Sequence, residues 1–330
     1  MHMPWGIALF TIAVVIFSPS GQLWQAFQAH VHLSPSELSI ADRGDALSKL
    51  LPAADAREMA AFGMVQVNTT ADTLAARFRD IANFKKSEQI LEIGKFATRP
   101  TVQDLKGLTL DEAELAAIKS CEVGRCDLRL SGEMIARLRR GAPGDVAALF
   151  RQILVDYVNA YAAGGSAALI RYEDKSPSVS LATDFQGLLG ASRYLRDYAP
   201  EFAAYLQSYP QNKPQGAEDF FYWSKEKFGV KPVISLTHVF MYRRPDSNDL
   251  LIVSKQIFAT HYFDSSMGIT ALVAGSETTK FYLIYLNRSR VDALGGMFGG
   301  VLSSLIRRQI ENGLVTNLKL TKQRLETGLH

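Results

Sequence analysis

The chain has 330 residues, of which 47% are hydrophobic and 21% are charged, and its formal net charge is +3. This is the composition of a globular protein without low-complexity tracts or repeats, which excludes disordered, collagen-like and coiled-coil proteins. The positive charge is too small and too scattered for a nucleic-acid surface, which needs a concentrated basic stripe. We therefore expect a globular monomer without a nucleic-acid partner.

The first 20 residues predict export. They contain no Lys, Arg, Asp or Glu, and Trp5 to Phe17 form an apolar run bracketed by two prolines. Its length fits the hydrophobic region of a secretory signal and falls short of the about 20 residues of a membrane span. The bracketing prolines disfavour an N-terminal core helix. We expect residues 1–20 to be a signal peptide and the mature chain to start near Gly21; an uncleaved membrane tether stays open.

The only two cysteines, Cys121 and Cys126, lie close together in the sequence. In an exported protein such a pair indicates one disulfide, and Gly124 between them can supply a left-handed turn. A redox motif has two intervening residues rather than four, and a zinc site needs four ligands. We predict a small structural disulfide.

The first half of the chain predicts a mixture of strands and helices. Residues 21–59 are predicted to be a polar, partly helical lead-in, and Ala61–Asn68 and Gln89–Phe96 have strand character with a helix between them. Short helices are predicted within 101–140. The clearest amphipathic helix runs from Asp145 to Ala163, with one apolar stripe for packing.

The middle of the chain alternates between both types of element. Ala167–Tyr172 predicts a strand, and Leu188–Tyr209 predicts a helix that is broken at Pro200. A loop with Pro and Gly then leads to an aromatic cluster, Phe220–Trp223.

The last third predicts an antiparallel meander followed by a helix. Long β-rich segments joined by short polar turns are typical of such a meander. The segments are Val233–Arg243, Leu250–Phe263, Gly268–Ala274 and Lys280–Asn287. One long amphipathic helix, the closing helix, is predicted from about Met297 to Glu326, with Leu302, Leu305 and Ile306 on its first apolar stripe.

This order of elements resembles the helix-grip fold of the START-like superfamily, the StAR-related lipid-transfer or SRPBCC proteins. The similarity is best where the last strand ends in Tyr285–Arg288, a turn follows at Asp292–Gly296, and the closing helix begins. The resemblance implies an α+β fold in which a curved antiparallel sheet grips the C-terminal helix and encloses a cavity for a hydrophobic ligand. The domain would span residues 60–326, with helical insertions near 101–140 and 176–223.

Motifs for catalysis or cofactor binding do not occur in the sequence. Gly295–Gly300 lies between a strand and a helix, but it lacks the ending of a phosphate loop and the spacing of a dinucleotide fingerprint. Neither a Gly-x-Ser-x-Gly elbow nor a His-Glu-x-x-His motif is found. No metal and no organic cofactor is implied.

Polar residues within the meander are the first candidates for ligand contacts. Lys255 and His261 are six residues apart and are predicted to share an otherwise apolar strand face, and His238 lies on another such face. Tyr285 and Asn287 share a face of the last strand. A few polar groups on apolar faces indicate a pocket. Alternatively, these faces lie at strand ends, where Lys255 and His261 reach water.

Three further features have two interpretations each. Arg288 and Arg290 either bind an anionic head group or form a local ion pair with Asp292. Trp223 either caps a pocket mouth or packs in the core. The basic residues of the closing helix suit an anionic membrane surface as well as water.

We predict an exported, periplasmic or secreted protein that binds or transfers a lipid or another hydrophobic small molecule in an internal cavity. The predicted ligand contacts are Trp223, His238, Lys255, His261, Tyr285, Asn287 and Arg288. One alternative is an enzyme of the same fold, a cyclase, hydrolase or isomerase, with His238, His261 and Lys255 as acid–base groups. Another is a ligand-free interaction module of the cell envelope.

Overall fold

The structure, a computed structural model, describes residues 19–141, 144–245, 247–274, 281–291 and 299–328. At 19–20, 274 and 299–307 it describes the backbone alone. Most of the predicted signal, the predicted turn Asp292–Gly296 and the glycine-rich segment up to residue 298 lie outside the described residues.

Eight strands form one antiparallel sheet in the order β1-β2-β10-β9-β8-β7-β6-β3, and β4 and β5 form a separate ribbon. The strands are β1 (Leu47–Leu51), β2 (Glu58–Val67), β3 (Ile90–Lys95), β4 (Arg171–Tyr172), β5 (Val179–Ser180), β6 (Ala217–Phe228), β7 (Lys231–Arg243), β8 (Leu250–Ala259), β9 (Phe263–Ala274) and β10 (Phe281–Val291). The sheet is open, with β1 and β3 at its edges.

Eleven α-helices occur in the described residues. They are α1 (Pro19–Val31), α2 (Pro35–Asp42), α3 (Ala71–Arg79), α4 (Ile81–Phe84), α5 (Glu112–Lys119), α6 (Gly132–Arg140), α7 (Val146–Gly164), α8 (Leu181–Ala191), α9 (Arg193–Tyr198), α10 (Pro200–Ser208) and α11 (Gly299–Thr327). The predicted α+β class, with an antiparallel sheet and a long C-terminal helix, is confirmed. Within the described ranges, no helix is long and apolar enough to cross a membrane.

The sheet has one strand beside the meander that the apolar pattern did not predict. The aromatic cluster Phe220–Trp223 belongs to β6, which pairs with β7 over its whole length. Its alternate rings enter different cores: Phe221 and Trp223 lie in one, and Tyr222 lies in the other. Four successive aromatic residues hide the polar and apolar alternation by which a strand is recognised.

Different helices cover the two faces of the sheet. On the helical face, α1 and α5–α10 bury a large core whose sheet residues include Phe62, Leu236, Phe240 and Val253. On the closing-helix face, α3, α4 and α11 pack on a smaller core whose sheet residues include Val65, Val239 and Ile252. Because side chains alternate along a strand, each strand contributes to both cores.

The predicted lead-in contributes directly to the large core. Leu23, Phe27 and Val31 of α1 are buried there, and β1 adds an edge strand beside β2. Residues 21–59 are partly helical as expected, and they also complete the sheet.

The predicted disulfide is present between Cys121 and Cys126, whose Cα atoms are 4.4 Å apart. Gly124 has a φ of +78°, which is the left-handed conformation expected of it. Both sulfur-bearing side chains are buried. A loop this short predicts about 2 kcal/mol of stabilisation from the loop entropy.

The closing helix α11 packs on β1 and β2 through Leu314, Leu318 and Leu325. The helix approaches β2 at Gly63, where a Cβ atom would lie 2.7 Å from Cδ1 of Leu318. The absence of a side chain at Gly63 therefore allows the close contact. The first predicted stripe of the helix lies where the structure describes the backbone alone.

We expect Leu318→Ala to lower the free energy of unfolding by about 2 to 4 kcal/mol, because a buried leucine is lost and a cavity remains. Leu320→Ala is the matched control, since Leu320 is 39% exposed and Leu318 is 3% exposed on the same helix. Urea unfolding of both variants measures the difference. Equal effects would contradict the packing of the closing helix on the sheet.

Candidate functional site

The sequence-predicted site residues are divided between the two faces of the sheet. His238, Lys255 and Trp223 are each two residues away from a large-core residue on the same strand, so they lie on the helical face. Tyr285 and Asn287 are two and four residues away from Leu283, so they lie on the closing-helix face. The structure therefore does not bring these two groups into one pocket.

His238 and Lys255 are direct cross-strand neighbours on β7 and β8. Both are completely buried, and Lys255 Nζ lies 3.6 Å from the ring centre of Phe185 and 5.1 Å from that of Tyr161. No hydrogen-bond partner for Lys255 Nζ is found among the described residues. Burial among these rings lowers the pKa of Lys255 to about 7, because an apolar site disfavours the ammonium form.

Hydrogen bonds hold His238 on both sides of its ring. Its Nε2 lies 3.2 Å from Oδ2 of Asp219, and its Nδ1 lies 3.3 Å from the Tyr161 hydroxyl. Burial lowers the pKa of His238 to about 4, although its hydrogen bond with Asp219 acts in the opposite direction. We assign the neutral tautomer in which Nε2–H donates to Asp219 and Nδ1 accepts from Tyr161.

Asp219 anchors this group to α10 and to the following loop. Burial raises its pKa, but hydrogen bonds from His238 and Lys213 outweigh this effect and hold the pKa below its ordinary value. The Lys213 ammonium donates over 2.6 Å, and the Tyr205 hydroxyl donates over 3.1 Å. The carboxylate therefore joins β6, β7 and α10 and keeps its charge.

Aromatic side chains of the protein fill the space around His238. The ring centres of Phe240, Phe221 and Tyr209 lie 3.7, 4.2 and 4.5 Å from that of His238. These contacts fix α7 and α10 on the sheet. The pair of His238 and Lys255 is therefore part of the core in this conformation.

His261 is separated from Lys255 by a β-bulge. Leu236 pairs with Phe258 while Thr237 pairs with Gln256, so one residue is inserted and the alternation shifts. His261 follows the end of β8 and interacts with Thr260 and with the Tyr262 ring. The predicted common face of Lys255 and His261 is therefore wrong, because the prediction assumed an uninterrupted strand.

Trp223 and Arg288 make contacts within the protein. The Trp223 indole donates to the carbonyl of Asp104 over 2.8 Å, and its ring lies over Gly94. Arg288 forms a buried ion pair with Glu58, and Arg290 bonds Asp55 and Asp184. Asp292, the predicted partner, lies outside the described residues.

A row of polar side chains crosses five strands on the closing-helix face. Register places its members as successive cross-strand neighbours. They are Tyr222, Thr237, Gln256, Ser266 and Ser289. Ser254 and Asn287 belong to the adjacent row on the same face, with Gly268 between them. We call these seven side chains the polar band.

Four members of the polar band are half-buried, and hydrogen bonds hold several of its groups in place. Ser254, Gln256, Ser266 and Asn287 each keep part of their surface accessible. Ser289 Oγ donates to Asn287 over 2.6 Å, the Asn287 amide lies 3.3 Å from Ser266 Oγ, and the Gln256 amide bonds Ser235. These groups are uncharged hydrogen-bond donors and acceptors, held in place by the sheet.

Apolar side chains continue this face on the side away from the β6–β7 turn. Met241, Ile252, Leu272 and Leu283 are buried there, in the smaller core to which α11 also contributes. Tyr285 lies between the two regions, and its hydroxyl lies over Gly268 and close to the Asn287 amide. The closing-helix face thus changes from apolar to polar along the strands.

Asn287 is the member of the polar band that the sequence analysis predicted as a ligand contact, and the sequence contains a signal for the other members that the prediction left out. Thr237 and Ser235 alternate with His238, and Ser254 and Gln256 flank Lys255. The prediction gave weight to charged and imidazole groups on apolar faces. Hydroxyls and amides on the opposite face of the same strands have the pattern of ordinary solvent-facing residues, so they did not stand out.

Among the described residues, neither a surface groove nor a metal-binding cluster contributes to this site. A surface groove of about 590 Å³ lies between α1 and the end of α9, lined by Gln22, Gln25, Tyr198 and Arg244 among others. In the parts of the chain that the structure describes, no three His, Cys, Asp or Glu side chains are arranged to hold a metal.

We expect Lys255→Met to stabilise the protein by about 2 to 4 kcal/mol at pH 6, since an ammonium is removed from an apolar site. The pKa of Lys255 is lowered in the folded state, so between about pH 7 and 10 the unfolded chain binds more protons. Wild-type stability therefore rises with pH in this window, and the advantage of the variant shrinks.

Urea unfolding at pH 6 and pH 9 tests this expectation, with Lys227→Met as the control at an exposed lysine. A pH-independent difference between wild type and Lys255→Met would show that the Lys255 amine is not desolvated.

No protein-family model matches the chain, and a search of curated proteins finds no significant relative.

Proposed function

We propose that this protein binds a lipid or another hydrophobic small molecule with an uncharged polar end on the closing-helix face of the sheet. The observation that carries the proposal is the polar band, which lies beside an apolar surface on the face where the closing helix packs. Ligand sites of this kind combine apolar walls with a few fixed polar groups that orient the ligand.

The polar band differs from what helix packing alone requires. Where α11 packs on β2, the contact consists of Leu314, Leu318 and the bare backbone of Gly63. Farther along the same face, seven polar side chains occupy neighbouring positions on five strands. Polar groups at half-buried positions need hydrogen-bond partners, and a ligand head group can supply those that the protein does not.

The charge of the site favours an uncharged head group. The polar band contains hydroxyls and amides only, and the nearby Lys85 and Glu226 form an ion pair with a 3.5 Å separation. Lys85 also donates to the Tyr222 hydroxyl over 3.0 Å, which ties this pair to the end of the polar band. Glycerol, sugar or amide head groups match such donors and acceptors better than a bare anion.

Binding is favoured over catalysis by the position of the acid–base candidates. His238 and Lys255 are on the opposite face, enclosed by side chains of the large core. The helix-grip resemblance stays an interpretation, and it agrees with the proposal in placing the ligand on the face of the sheet that the C-terminal helix covers in part.

We expect the double variant Ser254→Ala, Gln256→Leu to lower lipid occupancy about five- to tenfold, because each lost hydrogen bond contributes about 1 kcal/mol. Purified protein is incubated with vesicles of diacylglycerol and phosphatidylglycerol, re-isolated and analysed by native mass spectrometry. Gln152→Leu is the control, since it makes the same change on the exposed side of α7. Wild-type protein without bound lipid, or equal occupancy in all three proteins, would contradict the proposal.

We also propose that the protein is exported and acts outside the cytoplasm. The disulfide supports this, because such bonds persist in oxidising compartments. We expect protein recovered from its host to start near Gly21 and to contain no free thiol. Intact mass with and without reductant measures both properties, and a chain that begins at Met1 with two alkylatable cysteines would contradict export.

A further inference from the structure

Exposed apolar side chains gather at one end of the sheet. Within the described residues, five large apolar side chains are exposed, and four of them belong to this end. Val230 is 94% exposed in the turn between β6 and β7, and Phe228 beside it is 43% exposed. Val123 in the disulfide loop is 62% exposed, and Leu91 on β3 is 43% exposed.

Contacts between the segments bring these side chains to a common end. Lys231, next to Val230, forms an ion pair with Asp127, which follows the disulfide loop by one residue. The backbone N–H of Lys227 donates to Gln89 over 2.8 Å, two residues before Leu91. The turn, the disulfide loop and the start of β3 are therefore neighbours, and we call them the apolar tip.

The turn of the apolar tip is held rigidly. The Tyr262 hydroxyl accepts hydrogen bonds from the backbone N–H groups of Val230 and Lys231, at 3.1 and 2.9 Å. The Phe228 ring packs beside Tyr262 and Phe263 at 5.5 and 4.8 Å. Gly229, with a φ of +64°, adopts the left-handed conformation that the turn requires. The structure thus keeps Val230 in the solvent rather than letting it fold onto the sheet.

Two lysines flank the turn of the apolar tip. Lys227 and Lys231 stand directly before and after the turn, and both are exposed. The hydrogen bond from Lys231 lowers the pKa of Asp127, and the nearby charge of Lys175 adds a smaller effect in the same direction. Asp127 and Glu122 pair with Lys231 and Arg125, so the apolar residues are framed by ion pairs, and the exposed Lys227 adds a positive charge beside Phe228.

We propose that the apolar tip docks on the surface of an anionic membrane, with Phe228 and Val230 entering the interface. A convex turn offers far less than the about 800 Å² that each partner contributes to a stable protein interface. A membrane interface accepts isolated apolar side chains without a matching shape, and anionic head groups attract the adjacent lysines.

The biological purpose of docking by the apolar tip rests on the proposed lipid binding, because docking would bring the protein to a source of lipid. The polar band lies toward the same end of the sheet, because its pair Tyr222–Thr237 is six residues from the pair Phe228–Lys231 on one hairpin. This corresponds to about 20 Å along the strands. Docking would turn the polar end of the ligand site, rather than its apolar part, toward the head groups.

Vesicle flotation with the full mature protein tests the proposal. We expect wild type to float with vesicles of phosphatidylglycerol and phosphatidylcholine, and to float much less with phosphatidylcholine alone. Val230→Asp should lower the partition coefficient about tenfold, because a charge replaces the most exposed apolar side chain. Leu320→Asp, at the exposed leucine of the closing helix, should leave binding unchanged.

A second variant protects the test against misfolding. Val230→Trp should retain binding, and its tryptophan emission should shift to shorter wavelength when anionic vesicles are added. The proposal is overturned if wild type does not float at low salt, if Val230→Asp floats like wild type, or if Leu320→Asp alone abolishes flotation. Lipid occupancy in native mass spectrometry is independent of these outcomes, so failure of docking is distinguished from failure of ligand binding.

Discussion

The structure depends on the period-two alternation of side chains in a sheet that is covered by helices on both faces. A strand buried on one face sends every second residue to water, whereas β7 and β8 send alternate residues into two separate layers. The same two strands therefore serve two purposes. Phe240 and Val253 hold the helical layer, while Thr237 and Gln256 form the polar band. A shift of one residue in either strand would exchange the two sets.

Burying polar groups on the helical face costs free energy, and the apolar packing of the large core offsets this cost. Asp219 keeps its charge because His238, Lys213 and Tyr205 surround it with donors. Lys255 lies among aromatic rings, which supply a favourable face for a cation without a hydrogen bond. Removing one partner of such a network leaves a buried group unsatisfied, so its members act together. This arrangement fixes the position of α7 and α10 and so makes the sheet a rigid support for the opposite face.

The sequence was sufficient to predict the helices and strands with a strong apolar periodicity. It was insufficient where the backbone geometry departs from that periodicity. Strand β7 and helix α7 begin within two residues of their predicted limits, because their apolar patterns are uninterrupted. The bulge in β8 leaves no mark in a pattern of apolar residues, and it invalidated the predicted link between Lys255 and His261. Partners such as Glu58 for Arg288 are 230 residues away, a distance that local patterns do not bridge. The disulfide was predictable, because the chain offers a single pairing within one short loop.

The direction of the polarity gradient connects the two proposals, lipid binding and membrane docking. An amphipathic molecule in a membrane keeps its polar end at the surface and its apolar part below, and moving the polar end through an apolar medium is costly. In this protein the polar band lies nearer the apolar tip than Met241, Leu272 and Leu283 do. A ligand bound in this orientation, on a protein docked by its tip, keeps its head group near the membrane surface. Transfer then requires only the apolar part to exchange one apolar environment for another, which conserves most of its hydrophobic free energy.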